Sequence, residues 1–308
     1  MKRETHEVAI IGAGPAGLAA AIELKRLGVN DVVVLERDDA AGGMPQFCHH
    51  AGFGLRDLHM LYTGPGYARA YARCAAASGV PVRTRTSVTG WTGPTTLAVT
   101  SPQGLAQIDA KAILLATGCR ERPRAARMIP GTRAQGVFTT GSLQQLVHVH
   151  HQRVGKKAVI VGAELVSFSA LLTLGMSGTA VARMVTDQPR HQLYWPYAPA
   201  KLALADVWMR TPIQTSAHVT RILGNGRVEG VEITGPDGAI ETVDCDTVVF
   251  TCDWIPQNEL ARAGGLVIDA GTRGPRVDAL LRTSARGVFA AGNLLRGAES
   301  ADAAGLEG

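Results

Sequence analysis

The sequence predicts an α/β fold in which one three-layer domain is inserted into another of the same plan. The first observation is that a short apolar strand, a Gly-containing turn and a helix occur in this order twice, beginning at Val8 and at Lys157. The second is that alternating strands follow each copy, and a closing apolar strand ends it, "AILLATG" in the first and "TVVFTCD" in the second. A plan that occurs twice indicates two domains with the same architecture. We expect residues 1–122 and 252–308 to form the outer domain and residues 123–251 the inserted one.

Composition and charge exclude several classes of protein. The chain has 308 residues, of which 46% are hydrophobic and 19% charged, as in an ordinary globular protein of this length. The net charge of +5 is a mild excess spread along the chain. It suits anionic ligands and predicts no binding of nucleic acid.

The N-terminus and the cysteines predict a cytoplasmic protein. The segment "MKRETHEVAI" enters a strand at once, so we expect no signal peptide, and Gly, Pro and charges interrupt the apolar run to Leu27, so we expect no membrane span. The five cysteines are Cys48, Cys74, Cys119, Cys245 and Cys252. None forms a C-x-x-C pair, which predicts reduced thiols and neither a disulfide framework nor a metal site.

The first turn, GAGPAG at residues 12–17, has the composition of a dinucleotide-binding turn. Gly12 allows the tight turn, Gly14 lets the backbone approach a pyrophosphate, and Gly17 lets the helix pack on the strand. The helix continues to about Arg26, and a second strand, Val32 to Leu35, places Glu36 where it can accept hydrogen bonds from ribose hydroxyls. Pro15, Ala16 and Arg37 are the further predicted cofactor contacts of this Rossmann-like unit.

Three later segments resemble the FAD motifs of pyridine nucleotide-disulfide oxidoreductases of thioredoxin-reductase-like size. They are "AAGGMPQ" with Gly42, Gly43 and Gln46, "AILLATG" with Ala116, Thr117 and Gly118, and "FAAGNLL" with Gly292 and Asn293. The family has Asp where this chain has Asn293, which can still hydrogen-bond a hydroxyl but brings no charge. The resemblance implies two Rossmann-like domains and FAD as the cofactor of the first.

The segment "GGMPQFCHHAGFGLRDLHMLYTGPGYARAYA" resembles FAD subunits of heteromeric bacterial dehydrogenases and oxidases that act on amino acids, imino acids or opines. The resemblance implies an FAD-dependent oxidoreductase that transfers a hydride from a small amine, amino or imino acid to the flavin. Electrons would leave by a quinone, by oxygen or by a partner subunit. The final helix, "SADAAGLEG", is short, so a truncated C-terminus stays open.

The second turn, GAELVS at residues 162–167, departs from the dinucleotide-binding pattern. Glu164 stands where the second glycine should admit a pyrophosphate, and Ser167 replaces the third glycine. A carboxylate at a helix N-terminus is stabilising by roughly 0.3–1 kcal/mol, so Glu164 can take the place of the lost phosphate. We expect this domain to keep its fold and to have lost ordinary NAD(P) binding. The alternative is an unusual but working site, in which Asp187 would bind a ribose.

The cysteine pattern predicts that the protein does not reduce disulfides. A thioredoxin-type reductase needs C-x-x-C before its second nucleotide domain, where this chain has Thr139 to Ser142. The glutathione-reductase type needs two cysteines after the paired glycines, where this chain has Cys48 alone. A dithiol–disulfide relay needs both thiols.

Cys48, His49 and His50 are the catalytic candidates because they closely follow the flavin-lining glycines. One histidine would serve as a base or bind a substrate carboxylate; the alternative is a cluster that only packs a loop. We read the run from His148 to His151 as a polar helix face or as charge at a helix C-terminus. The arginines of "CRERPRAAR" are a solvated face or anion ligands, and the aromatic run from Tyr194 to Tyr197 is local core or a partner surface.

Two alternative functions remain beside the leading one. One is an NAD(P)H-dependent flavin reductase or oxidase. The other is a non-catalytic, nucleotide-binding scaffold subunit that supports a catalytic partner in a heteromeric dehydrogenase.

Overall fold

A computed structural model of the chain describes residues 2–193, 205–206, 208–297 and 299–308. These residues form two compact units, Met1–Arg120 with Trp254–Gly308 and Glu121–Asp253. The unit boundaries fall at 120/121 and 253/254, against predicted domain boundaries at 122/123 and 251/252. The aromatic run from Tyr194 to Tyr197 lies outside the described residues.

The strands account for the alternating and apolar segments of the sequence. They are β1 (Lys2–Ile11), β2 (Val32–Leu35), β3 (Ala51–Phe53), β4 (Tyr62–Thr63), β5 (Val82–Arg83), β6 (Ser87–Gly93), β7 (Thr96–Ser101), β8 (Gly104–Leu115), β9 (Cys119–Glu121), β10 (Val137–Thr139), β11 (Lys157–Val161), β12 (Ala180–Val185), β13 (Ile213–Gln214), β14 (His218–Leu223), β15 (Gly230–Thr234), β16 (Ile240–Asp244), β17 (Thr247–Phe250), β18 (Trp254–Pro256) and β19 (Val288–Ala290).

The helices follow the Gly-containing turns and the Ala-rich segments. They are α1 (Pro15–Arg26), α2 (Gly64–Ala77), α3 (Thr140–His148), α4 (Leu165–Met176), α5 (Glu259–Ala263) and α6 (Ala301–Glu307), with single 3-10 turns at Met44–Phe47, Arg124–Arg127 and Gly292–Leu294.

The first unit is built on a seven-stranded sheet in which β5, β2, β1, β8 and β19 are parallel. The antiparallel strands β7 and β6 extend it beyond β8. Alternate residues of β1 enter different cores: Ile10 packs in one cluster with Leu18 of α1, and Ile11 packs in another with Leu97 of β7. The chain leaves β1 toward β2 on one side and returns at β8 on the other, which places a ligand crevice at the carboxyl end of β1.

The second unit repeats this plan. Its parallel sheet has the order β10–β17–β11–β12–β13, and β14, β15 and β16 form a separate antiparallel sheet. One face of the parallel sheet buries Ile160 with Phe168 of α4, and the other buries Val159 with Val231 of β15. The result is three layers, of helices, parallel sheet and antiparallel sheet, with the crevice at the carboxyl end of β11.

Most of the predicted elements are confirmed. Helix α1 ends at Arg26 and strand β2 covers Val32–Leu35, as the sequence predicts. The predicted helix through His151 was wrong: α3 ends at His148, and His151 has a positive φ of 51° that no helix accommodates.

Candidate cofactor site

Two glycines of the first turn are required by the backbone of the first unit. Gly12 has a φ of +105°, and a side chain there would strike the carbonyl of Ala116 on the neighbouring strand. A side chain on Gly17 would strike the carbonyl of Gly12, and its Cβ would lie 3.3 Å from Cγ2 of Ile10. These positions therefore let α1 pack directly on β1, as the sequence predicts.

Gly14 has a different role, because its backbone does not need glycine. Its φ of −78° and ψ of −176° suit any residue, and the nearest atom to a Cβ placed there is Cα of Gly43 at 4.0 Å. Gly43 has a φ of +63°, and its own Cβ would lie only 2.9 Å from Cα of Gly14. The two glycines thus face each other across a narrow cradle at the start of α1, which any side chain would fill.

The first turn of α1 is left without a side-chain cap. Gly14 is the N-cap residue and Pro15 follows it, and among the described residues no side chain caps the first-turn N–H groups. Free N–H groups and the positive end of the helix dipole attract phosphate oxygens. The cradle and the uncapped turn fit the pyrophosphate of a dinucleotide.

Glu36 lies at the carboxyl end of β2, 7% exposed. Its Oε2 accepts a hydrogen bond from the N–H of Ala13 at 2.7 Å, and its Oε1 accepts from the N–H of Asp38 at 3.0 Å. Each oxygen keeps a further lone pair for a ribose hydroxyl. The neighbouring Arg37 is exposed and lies 3.8 Å from Asp38.

The other predicted cofactor segments also lie in the first unit. The N–H of Ala116 donates to the carbonyl of Ile11, which brings the end of β8 beside the first turn. The Thr117 hydroxyl donates to the carbonyl of Gln257 at 2.8 Å, and Gly118 follows with a φ of +71°. Gln46 donates to the carbonyl of Ala40 at 3.3 Å, which holds the loop of the paired glycines.

The final motif lies beside the first turn of α1. Gly292 has a φ of +71°, and a Cβ on it would lie 2.8 Å from Cβ of Ala16. Its N–H donates to Oε2 of Glu307 at 2.6 Å, and Arg296 donates to the other oxygen of Glu307 at 2.8 Å. Glu307 and Arg296 are therefore part of this motif, and no local pattern in the sequence singles them out.

Cys48, His49 and His50 form a short loop between the 3-10 turn Met44–Phe47 and β3. The N–H of Gly64, at the start of α2, donates to the carbonyls of Cys48 and His50. The Cys48 thiol donates to the carbonyl of Met44 at 3.5 Å. His49 is exposed, whereas the His50 ring is partly buried 5.3 Å from the Phe53 ring. Burial lowers the pKa of the His50 imidazole. Burial, and next the positive charge of Arg69, lower the pKa of the His49 imidazole. His50 Nδ1 lies 2.9 Å from the carbonyl of Ala51, so Nδ1 carries the proton and Nε2 keeps the lone pair of a base.

Two carboxylates, the buried Asp302 and the half-buried Asp57, fix the chain that follows this loop, and the sequence did not reveal either. Asp302 accepts from the N–H groups of Gly54 at 2.9 Å and Arg56 at 3.0 Å. Asp57 accepts from the hydroxyls of Tyr67 at 2.5 Å and Tyr71 at 2.8 Å. Burial and the carboxylate of Asp57 raise the pKa of both tyrosines, so they stay protonated as donors.

The second turn has the same backbone path as the first. The N–H of Gly12 donates to the carbonyl of Leu35, and the N–H of Gly162 donates to the carbonyl of Val185. Gly162 is therefore the equivalent, in the second unit, of Gly12. Glu164 then occupies the place of Gly14, and its φ of −101° and ψ of 178° are equally extended. A glutamate is therefore tolerated by the backbone, and its side chain enters the space that Gly14 leaves open.

The Glu164 side chain turns back over the second turn. Its Oε2 lies 2.7 Å from the position of a Cβ on Gly162. Both carboxylate oxygens are buried and, among the described residues, have no hydrogen-bond partner. Burial, and next the negative charge of Glu164, raise the pKa of the Cys252 thiol to about 11. A negative charge thus occupies the point where a pyrophosphate would bind.

The ribose position of the second unit is occupied by Thr186. The turn glycine donates its N–H to Leu35 in the first unit and to Val185 in the second, and Glu36 and Thr186 are the residues that follow. The Glu36 carboxylate accepts from the N–H of Asp38, and the Thr186 hydroxyl accepts from the N–H of Gln188. The alternative in which Asp187 would bind a ribose needs that residue one position earlier in the chain. Asp187 is exposed and is equivalent to Arg37.

The arginines of "CRERPRAAR" are engaged within the protein. Arg122 pairs with Asp253 at 2.9 Å, and Arg120 pairs with Glu259. Arg124 donates to three backbone carbonyls, and Arg127 donates to the carbonyls of Arg122, Thr251 and Cys252. They hold loops together and are not arranged around an anion site.

The described residues hold no metal-binding cluster, membrane-spanning helix or disulfide. No group of three His, Cys, Asp or Glu side chains is placed to hold a metal ion there. Within the same ranges, no helix is long and apolar enough to cross a membrane. The described part of the chain contains all five cysteines, and no disulfide joins any of them.

The sixth residue of each turn, where the dinucleotide-binding pattern has its third glycine, offers a test of packing. Gly17→Ala should lower the free energy of unfolding by about 1–3 kcal/mol, because its methyl overlaps the carbonyl of Gly12. Ser167 already carries a Cβ and hydrogen-bonds Thr251 at 2.7 Å, so Ser167→Ala should cost about 1 kcal/mol. Urea unfolding of both variants measures the two costs; a smaller cost for Gly17→Ala than for Ser167→Ala would contradict this account of the two turns.

Comparison with known proteins agrees with this geometry. A family described as pyridine nucleotide-disulphide oxidoreductase matches residues 6–308. An opine oxidase subunit of Rhizobium meliloti is 27% identical over 98% of this chain and 61% of its own length. The chain thus spans about six-tenths of that relative. Ferredoxin–NADP reductase of Salinispora tropica is 28% identical over 94% of this chain and 86% of its own.

Solved structures support the fold. The thioredoxin reductase of T. acidophilum superposes with a TM-score of 0.78 and 21% identity, covering 98% of this chain and 94% of that one. This likeness bears on the fold alone, two nested Rossmann-like domains with parallel sheets. The protein is therefore an oxidoreductase of the pyridine nucleotide-disulphide oxidoreductase family, a family of flavoproteins that typically bind FAD and NAD(P).

Proposed function

We propose that the protein is the flavoprotein subunit of an FAD-dependent oxidoreductase that oxidises a small amine, amino acid or imino acid. The observation that carries the proposal is the contrast between the two turns. The first has an open cradle between Gly14 and Gly43 and a buried Glu36 at the ribose position. The second has Glu164 and Thr186 at the equivalent positions.

The residues of the first unit would hold FAD in three parts. The first turn of α1 would bind the pyrophosphate, and Glu36 the adenosine ribose. Gly42, Gly43, Gln46 and the ends of β8 and β19 would line the flavin side. Bound FAD would supply the acceptor for the substrate's hydride, a chemistry that protein side chains lack.

The substrate class is supported by the similarity to a protein named as an opine oxidase subunit. His50 is the best placed base, since its Nε2 keeps a lone pair and its lowered pKa keeps it neutral near pH 7. It would take a proton from the substrate's ammonium group. The electrons would pass to a partner protein.

Cofactor content tests the first part of the proposal. The purified protein should be yellow and should release FAD, not FMN, when it is denatured, as chromatography of the supernatant would show. A colourless protein that cannot be reconstituted with FAD would rule the proposal out.

His50 and its exposed neighbour make a matched pair for testing the base. Under anaerobic conditions, a panel of amino and imino acids should include one that bleaches the flavin. His50→Ala should slow that bleaching by about 10²-fold, the usual contribution of a general base. His49→Ala should leave the rate within a fewfold of wild type. An equal loss in both variants, or in neither, would remove His50 from the mechanism.

We also propose that the protein does not reduce disulfides. The only cysteine near the flavin-side glycines is Cys48, and the described first turn of α3 carries Thr139–Ser142 where a dithiol would stand. Thioredoxin, glutathione disulfide and a synthetic disulfide should therefore show no turnover with NADPH. Robust turnover that disappears in Cys48→Ser would reverse this conclusion.

A second candidate function is an NAD(P)H-dependent reductase. It is favoured by the similarity to ferredoxin–NADP reductase, which this chain matches over 86% of that protein's length. It requires that NAD(P)H reach the second unit despite Glu164. Reduction by NADH or NADPH therefore separates the two candidates.

A further inference from the structure

The side chain of Asn293 is paired with both backbone polar groups of Glu299, a residue of the same loop. Its Oδ1 accepts from the N–H of Glu299 at 3.0 Å, and its Nδ2 donates to the carbonyl of Glu299 at 3.2 Å. We propose that Asn293 is a positioning residue, which acts on the cofactor site by closing the loop between β19 and α6. This inference rests on the proposal that FAD binds to the first unit.

The pairing explains why an amide stands at this position. An amide has an acceptor and a donor side by side, and both are needed to match the N–H and the carbonyl of Glu299. An ionised aspartate offers acceptors only. An aspartate at position 293 would still accept the hydrogen bond from the Glu299 N–H. Its second oxygen, however, would face the Glu299 carbonyl oxygen and be repelled by it.

A second set of bonds ties the same loop to the end of α6. Arg296 donates to Oε1 of Glu299 at 3.3 Å and to Oε1 of Glu307 at 2.8 Å. Oε2 of Glu307 accepts from the Gly292 N–H at 2.6 Å. The side chain of Glu307 is 17% exposed, so this ion pair is partly shielded from water.

The two sets of bonds determine the position of Gly292. The Asn293 side chain bonds to the backbone of Glu299, and the Glu307 carboxylate accepts a hydrogen bond from the N–H of Gly292. Gly292 lies against Ala16, in the first turn of the helix to which we assign the pyrophosphate. A loop that loosens at Asn293 would therefore disturb the wall of the FAD site without removing a direct contact.

Asn293→Asp is the decisive variant, because it restores the residue that the related FAD motifs carry. If the side chain bound a cofactor hydroxyl, aspartate would bind FAD as well or better. If it closes the loop, Asn293→Asp should weaken FAD binding by about tenfold at about pH 8, through the lost donor and the new repulsion. Asn293→Ala should weaken binding similarly, and Asn30→Asp, an exposed site in the same unit, controls for the added charge.

The pH dependence separates closure of the loop from general damage. A carboxyl that faces a carbonyl oxygen holds its proton to a higher pH than usual, and the protonated form can donate again. The defect of Asn293→Asp should therefore shrink as the pH falls from about 8 to about 5.5. The defect of Asn293→Ala, which has no titratable group, should stay constant relative to wild type.

The experiment measures the dissociation constant of FAD by fluorescence quenching and, separately, the Tm of each apoprotein. At the higher pH the Asn293→Asp apoprotein should melt about 3 °C below wild type and recover at the lower pH. Wild-type FAD affinity in Asn293→Asp, or tighter binding, with an unchanged apoprotein Tm would overturn the inference and leave the proposed function intact. A wild type that binds no FAD would overturn the proposed function. The apoprotein Tm values would then still show whether the bonds between Asn293 and Glu299 stabilise the loop.

Discussion

Gly14→Glu is expected to give a folded but colourless protein. The variant places in the first turn the residue that the second turn carries, on a backbone with the same extended conformation. Nothing lies within 4.0 Å of the new Cβ except the edge of Gly43, so the fold should survive. At about 4 Å, a carboxylate and a phosphate charge repel by roughly 4 kcal/mol in a partly shielded site, which corresponds to about 10³-fold weaker FAD binding.

Absorbance of the purified variant and titration of its apoprotein with FAD measure this effect. Asn30→Glu adds the same charge at an exposed position of the same unit and should bind FAD like the wild type. Far-UV circular dichroism confirms that both variants are folded. A yellow Gly14→Glu protein with wild-type affinity would show that FAD does not approach this turn.

Glu164→Gly is the reciprocal change and should admit NAD(P)H to the second turn. It removes a buried carboxylate that has no hydrogen-bond partner among the described residues. The same Coulomb estimate gives an improvement in the dissociation constant for NADH or NADPH of up to about 10³-fold. The absence of an acid at Thr186 should keep the affinity below that of an ordinary site.

Ser167→Gly is the matched control for this change. The Ser167 hydroxyl bonds to Thr251 and to the N–H of Glu164, and a hydroxymethyl group is small, so its removal should add little to NAD(P)H binding. Isothermal titration of each variant with NADPH measures the dissociation constants. An improvement in Ser167→Gly that equals the one in Glu164→Gly would show that space, and not charge, closes the second turn.

The elements that the sequence predicted best are those governed by local rules. The two turns, the helix that ends at Arg26 and the strand from Val32 to Leu35 follow from apolar runs and glycines within a short stretch of chain. The role of Glu164 was accessible for the same reason, because its position relative to Gly162 is a matter of spacing. The structure places the Glu164 carboxylate over the second turn, and the steric and electrostatic block of NAD(P) stays a prediction.

The features that the sequence did not predict depend on contacts between distant residues or on strand register. Asp302 bonds to Gly54, which lies 248 positions earlier, and no pattern within either segment indicates this pair. The bonds of Asn293 to Glu299 depend on how a loop of irregular structure closes. Asp187 was considered for the ribose because it is the first acid after β12, and only the bond from Gly162 to Val185 shows that Thr186 holds the ribose position.

Anaerobic stopped-flow reduction of the flavin by NADH and NADPH tests most directly the central claim, that the first turn binds FAD and the second is closed to NAD(P). The wild type should bleach slowly or not at all with either nucleotide, while an amino or imino acid from the panel bleaches it. Glu164→Gly should be bleached faster by NADH or NADPH than wild type. Rapid bleaching of the wild type by micromolar NADH or NADPH would contradict the account and establish the NAD(P)H-dependent alternative.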